Sequence, residues 1–163
     1  MRDETDLTWT LGVLLRAHRE RVAAVLADLP HGPRGYQTLV EVSSGRHRSQ
    51  AALAQHLGID RTVMTYLLDD LVAAGLVQRQ EDPADRRQRR VVVTLRGEEA
   101  LAALCTEVAA AEEATLAGLE PDERAVLRRL LVKAARAAPE HDLDACTVVE
   151  TADQDQPSTS VRS

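Results

Sequence analysis

Aromatic side chains are almost missing from this sequence: one Trp, two Tyr and no Phe stand among 163 residues. An interior without large rings has to be filled by small and aliphatic side chains, which favours packed helices over a β-sandwich. Cysteine is scarcer still. Cys105 and Cys146 lie far apart with no Cys-x-x-Cys spacing, so they are poor metal ligands, and a reducing cytosol gives no reason to pair them. The five histidines, at positions 18, 31, 47, 56 and 141, show no ligand spacing, and there is no glycine-rich phosphate loop. No catalytic residue, metal site or cofactor is assigned on this reading, and an enzyme is not expected. No apolar run approaches the roughly 20 residues that span a bilayer. The opening MRDETDLTWT also lacks the layout of a signal peptide, so a cytoplasmic protein with no membrane partner is expected. Lysine occurs once, at Lys133, against nineteen arginines; GC-rich codon usage accounts for that ratio, and it is given no functional weight.

What the sequence has in quantity is aliphatic residues at helical spacing. With 44% hydrophobic residues the chain can bury one ordinary core, so a single domain with a tail is expected. Leu7, Leu11, Leu14, His18, Val22, Val25 and Leu29 recur at a period that predicts one long amphipathic helix. PHGPRG then breaks it, and a shorter helix follows around YQTLVEVS. In SQAALAQHLG, Ser49 can cap a helix carrying Leu53 and Leu57, with Gly58 placed to end it. Asp60 opens the next, whose Met64, Leu67, Leu68 and Leu71 form an i, i+3, i+4, i+7 stripe that Gly75 stops. Two short helices joined by a tight glycine-containing turn are a helix-turn-helix. LVQRQ and RRVVVTL, on either side of a polar turn, predict a hairpin. Two further helices follow, one carrying Leu101, Leu104, Val108, Ala111, Leu116 and Leu119, the other beginning at EPDER.

The expected fold class is therefore α+β, mostly α: a helix-turn-helix with the hairpin behind it at residues 46–97. It is flanked by an N-terminal dimerisation helix and second helix (1–45) and by C-terminal dimerisation helices (98–138). The long terminal helices offer more Leu and Val than one short helix pair can cover, so a second copy of the chain is the expected partner. Residues 139–163, polar, acidic and without period, read as a disordered tail.

Charge is distributed unevenly. The whole chain carries −6, yet from Arg46 to Arg96 nine arginines face six acids, a net of +3, which leaves −9 on the remainder. Four of those arginines crowd positions 86–90. An isolated arginine run is usually just solvated. Directly behind a helix-turn-helix it points to double-stranded DNA as the partner.

The stretch SQAALAQHLGIDRTVMTYLLDDLVAAGLVQRQEDPADRRQRRVVVTLRGEEAL resembles the winged helix-turn-helix of the MarR family of bacterial transcription regulators. The resemblance extends over about residues 7–137, and its most specific parts are AGLVQRQEDPADRR and the VTLRG that closes the wing. It implies a homodimer with intertwined terminal helices, a fourth helix in the major groove and a wing reaching the adjacent minor groove. Tyr66 and Asp70 stand where the family favours basic residues, and Arg90 where it is commonly apolar.

Arg61, Thr62, Thr65, Tyr66 and Asp69 fall opposite the apolar stripe, and an Arg with hydroxyls near a helix N-terminus can reach base edges and phosphates. Arg61, Thr62, Thr65 and Tyr66 are the candidate DNA contacts there, joined by Ser49 and Gln50 from the preceding helix. On the wing, Arg87 matches the family's minor-groove arginine, Asp85 can orient its guanidinium, and Arg86 and Arg89 suit phosphates. The resemblance also implies a repressor released from a pseudo-palindromic operator by a small aromatic or phenolic ligand, held between the dimer helices and the DNA-binding lobe. Trp9, His18, Arg21 and Tyr36 are the candidate ligand contacts, although His18 serves equally as a core or interface histidine and Tyr36 as a core anchor. Two alternatives stay open: a helical dimer acting through protein partners without ligand sensing, and a cysteine-based redox regulator. For the second, Cys105 has a helical spacing that suits burial.

The wing reading makes a sharp prediction. Arg87→Ala should cost on the order of 1–3 kcal/mol of DNA binding and relax preference at the flanks of the half-sites. Arg89→Ala should weaken all DNA alike and lower the salt slope by about one. Asp85→Ala should weaken binding although it removes a negative charge; tighter binding across a salt series would leave the wing a mere charge cluster.

Overall fold

The computed structural model describes residues 6–47, 49–81 and 89–137. Six helices and one hairpin follow each other in the order α1 (Leu7–Val25), α2 (Gly32–Ser44), α3 (Gln50–His56), α4 (Arg61–Ala73), β1 (Val77–Glu81), β2 (Arg89–Val93), α5 (Leu95–Thr115) and α6 (Pro121–Ala137). The expected tail at 139–163 lies outside the described residues.

Local chemistry sets most of the boundaries. Ser49 caps α3 by accepting from the Ala52 amide, Asp60 caps α4 through the amides of Thr62 and Val63, and Thr94 caps α5 through Gly97. Gly58 and Gly75 follow α3 and α4 with φ of +60° and +72°, a conformation in which a Cβ would be strained. Two expectations need correction. The first helix stops at Val25 instead of running to Leu29, because Leu26 leaves helical geometry and Pro30 lies just beyond. The proline-glycine segment is also no simple break. α2 starts within it at Gly32, with Pro33 in the first turn, where its missing N–H is no loss. Gly35 is required there, since a Cβ at that position would collide with the Pro30 carbonyl.

The core sits inside the helix-turn-helix and its hairpin. Leu53 and Ala54 of α3, Met64, Leu67, Leu68 and Leu71 of α4, Leu39 and Val42 of α2, and Val77 and Val91 of the hairpin form one buried cluster. The strands are antiparallel, with Val77 opposite Val93 and Glu81 opposite Arg89. A further bridge between Ser49 and Arg90 ties the start of α3 to β2.

α5 packs along α1 and touches α2. At its far end Glu113 receives Arg124 at 3.0 Å and Arg128 at 2.6 Å, and these guanidinium contacts hold its carboxyl below the usual range. Neither α1 nor α6 has a residue buried within the chain. Leu7 is 70% exposed, and Trp9, Leu11, Val13 and Leu15 of α1 and Val126, Leu130, Leu131 and Val132 of α6 are exposed with it. No described helix is long and apolar enough to cross a membrane.

A second close backbone approach is at the root of the wing. Thr94 donates its hydroxyl to the Gly75 carbonyl at 2.6 Å, and its amide bonds to the Leu76 carbonyl at 3.0 Å. Gly97, one turn into α5, lies so near that a Cβ would run into the same Leu76 carbonyl and the Val93 side chain. Gly97→Ala should therefore destabilise the chain by about 1–3 kcal/mol, the usual cost of overpacking. Gly118, with open space around its Cα, is the control. Thermal unfolding should separate the two.

Candidate nucleic-acid interface

α4 is held by its buried stripe and presents the other side outward. Met64, Leu67, Leu68 and Leu71 are fully buried, while Arg61, Thr62, Val63, Tyr66 and Asp69 are exposed, Tyr66 by 64%. Asp60 accepts from Thr62 N at 2.8 Å and Val63 N at 3.3 Å, and those amides hold its carboxyl below the ordinary value. This fixes the first turn, so Arg61 and Thr62 project from a defined helix end.

The candidate contacts divide into two groups. Arg61, Thr62 and Tyr66 share the outer face of α4. Thr65, Gln50 and Ser49 are half-buried and already engaged. The Thr65 hydroxyl donates to the Arg61 carbonyl at 2.9 Å and accepts from Gln50 Nε2 at 2.5 Å, which locks α3 to α4. Ser49 is committed to its cap.

The hairpin is anchored to the same helix. Arg79 Nη1 meets Asp69 Oδ1 at 2.7 Å, so Asp69 orients β1 against α4, a role its place opposite the apolar stripe did not reveal. Asp70 meets His31 Nε2 at 2.8 Å. Its acidic character, a departure from the family pattern, thus links α4 to the residue that precedes α2. Arg90, also a departure, is half-buried and donates to Gln80 across the hairpin at 3.1 Å. Arg89 is exposed opposite Glu81. Asp85, Arg86 and Arg87 lie outside the described residues.

Of the candidate ligand contacts, Trp9 and Arg21 are exposed and His18 half-buried along α1; Arg21 bonds the Ala17 carbonyl of its own helix. Tyr36 lies within 3.3 Å of Cys105 Sγ, where α2 meets α5. Burial first, then the hydrogen bond to Cys105, pushes the Tyr36 pKa up to about 12, so its hydroxyl stays protonated at any physiological pH. Cys105 itself is exposed, which corrects the burial its spacing suggests: α5 turns that side toward Tyr36 and solvent while Val108 and Ala111 face inward.

The histidines need a second correction. Folding brings His47, from the α2–α3 connection, and His56, the last residue of α3, face to face, with ring centroids 4.1 Å apart beside Glu41. Nine residues of separation hid this pair from a search for short ligand spacings.

The division between exposed and engaged side chains is testable by isosteric substitution. Thr65→Val leaves Gln50 without its acceptor and should cost about 0.5–1.5 kcal/mol. Thr62→Val, on the open face, should leave the melting temperature unchanged. Equal melting temperatures for both variants would remove Thr65 from the α3–α4 brace.

Sequence and structure comparisons place this architecture among known proteins. A family profile described as MarR family matches residues 33–88. The HTH-type transcriptional repressor NicR of Pseudomonas putida is 29% identical over 132 residues, covering 78% of this chain and 84% of NicR. The repressor CouR, solved bound to a 23-mer DNA duplex, is 28% identical with a TM-score of 0.64, over 79% of this chain and 92% of CouR. The Mycobacterium tuberculosis MarR family protein Rv2887, solved with p-aminosalicylic acid, is 25% identical with a TM-score of 0.65, over 80% and 99% of the two chains. The helix-turn-helix thus lies in the stretch that the MarR family profile matches, and the chain shares its fold with solved proteins of that family.

Proposed function

We propose that the protein is a homodimeric DNA-binding repressor that reads a pseudo-palindromic operator and is released by a small aromatic or phenolic acid. The observation that carries the DNA-binding part is the outer face of α4. Arg61, Thr62 and Tyr66 are exposed on a helix whose position is over-determined by its buried stripe, the Gln50–Thr65 bond and the Asp69–Arg79 pair. An arginine and a hydroxyl in the first turn of such a helix can reach base edges and phosphates, and a braced helix loses little freedom in doing so. Arg89, exposed on the hairpin beside it, would neutralise the flanking phosphates. Relatives solved with a DNA duplex support the reading.

Dimerisation follows from the apolar side chains of α1 and α6 that stay exposed among the described residues. An isologous contact through these helices would hold two copies of α4 about one DNA turn apart. The ligand would sit where α1, α2 and α5 meet, with the neutral Tyr36 hydroxyl as its polar contact. Supporting this, NicR and CouR are named repressors, and Rv2887 is solved with an aromatic acid. If the ligand prefers a dimer whose α4 helices are wrongly spaced, DNA must weaken its binding by the same factor.

Mobility-shift titration with the promoter DNA beside its own gene is the direct test. Arg61→Ala should reduce affinity by an amount worth about 1–3 kcal/mol without altering melting. Light scattering at micromolar concentration should give a dimer; a monomer that binds one half-site fully would overturn the assembly. Salicylate-like phenolics should weaken DNA binding in the wild type and less so in Tyr36→Phe. Should a broad panel of aromatic acids alter neither melting nor DNA affinity, the repressor would stand without the sensor.

A further inference from the structure

The corner between α2 and α3 gathers three side chains of metal-binding type that the DNA-binding reading leaves without a role. Glu41 lies one turn before the end of α2, His47 in the connection that follows, and His56 at the end of α3. Glu41 Oε1 is 3.6 Å from His56 Nε2, and Oε2 is 4.0 Å from His47 Nε2. One donor atom from each of the three residues falls within 4.8 Å of the other two.

The carboxylate is only 13% exposed, and its Oε2 is buried with no hydrogen-bond partner among the described residues. A buried anionic oxygen without a donor is costly and calls for compensation. The imidazoles are close enough to Glu41 to feel its charge but too far for good hydrogen bonds. Arg46, 3.5 Å from Oε1, is a well-exposed guanidinium on the other oxygen. A cation between the two rings and Oε2 would satisfy all three ligands at once.

We infer that Glu41, His47 and His56 form a binding site for a borderline divalent cation of the zinc type. Two imidazoles and one carboxylate are a nitrogen-rich set that favours zinc and its late first-row neighbours over magnesium or calcium. Ligand bonds of about 2.0–2.1 Å around a tetrahedral ion place donor atoms about 3.4 Å apart, so side-chain rotations closing the present gaps by an ångström or so are sufficient. Three protein ligands leave the fourth position to water. Because His47 precedes the α3 cap and His56 ends the helix, the ion would clamp both ends of α3 to α2.

The test is calorimetric titration of the full chain with ZnCl2, read beside thermal unfolding. The expected result is one ion per chain at micromolar affinity or tighter, a higher melting temperature with Zn2+, and no effect of Mg2+ at equal concentration. His56→Ala alters an exposed helix end and should lower affinity at least tenfold, as should His47→Gln; either variant serves if the other fails to fold. Arg46→Ala, which removes the competing cation, should tighten binding. Absence of Zn2+ binding below 100 μM, on the order of a weak surface site, or undiminished binding in the His47→Gln/His56→Ala double variant, would overturn the inference.

Discussion

Burial of the α4 stripe is the constraint on which the rest of the molecule depends. Met64, Leu67, Leu68 and Leu71 are fully buried against α2, α3 and the hairpin. Each such side chain contributes about 1.5–3 kcal/mol relative to exposure. With four positions of one helix fixed in this way, the opposite face has no rotational freedom left. The polar links then act on a helix already placed: Gln50 to Thr65 sets α3, Asp69 to Arg79 sets the wing, and His31 to Asp70 sets the start of α2. None would be worth much as an isolated surface contact. Together they turn hydrophobic burial, which is non-directional, into a defined orientation.

The chain divides its surface by purpose. Apolar exposure gathers on α1 and α6, and the positive charge of this acidic protein gathers between Arg46 and Arg96. The join between the two regions is close: the Thr94 hydroxyl donates to the Gly75 carbonyl, and Gly97 has no room for a Cβ beside the Leu76 carbonyl.

Tyr36 and Cys105 mark a second joint, between α2 and α5. There a neutral tyrosine hydroxyl stands beside an exposed thiol, in a chain that has only three aromatic residues.

The sequence by itself determined the elements that depend on near neighbours. Ser49 and Asp60 cap as read, Gly58 and Gly75 follow their helices, the α4 stripe is buried, and the hairpin forms where the alternation places it. In each case the controlling interaction spans four residues or fewer, or is a periodicity visible along the chain. The family motif at the wing added the fold for the same reason, as a fixed order of local signals. Tertiary structure decided everything that rests on distant partners: that Gln50 and Thr65 hold one another while Arg61, Thr62 and Tyr66 stay exposed, that Asp69 and Asp70 brace the wing and α2, and that Cys105 reaches Tyr36 instead of the interior. It also gathered Glu41, His47 and His56 from two helices and the connection between them. Composition and spacing carry no record of such pairs, because the packing of whole helices brings them together, and that packing follows from the sum of many contacts spread along the chain.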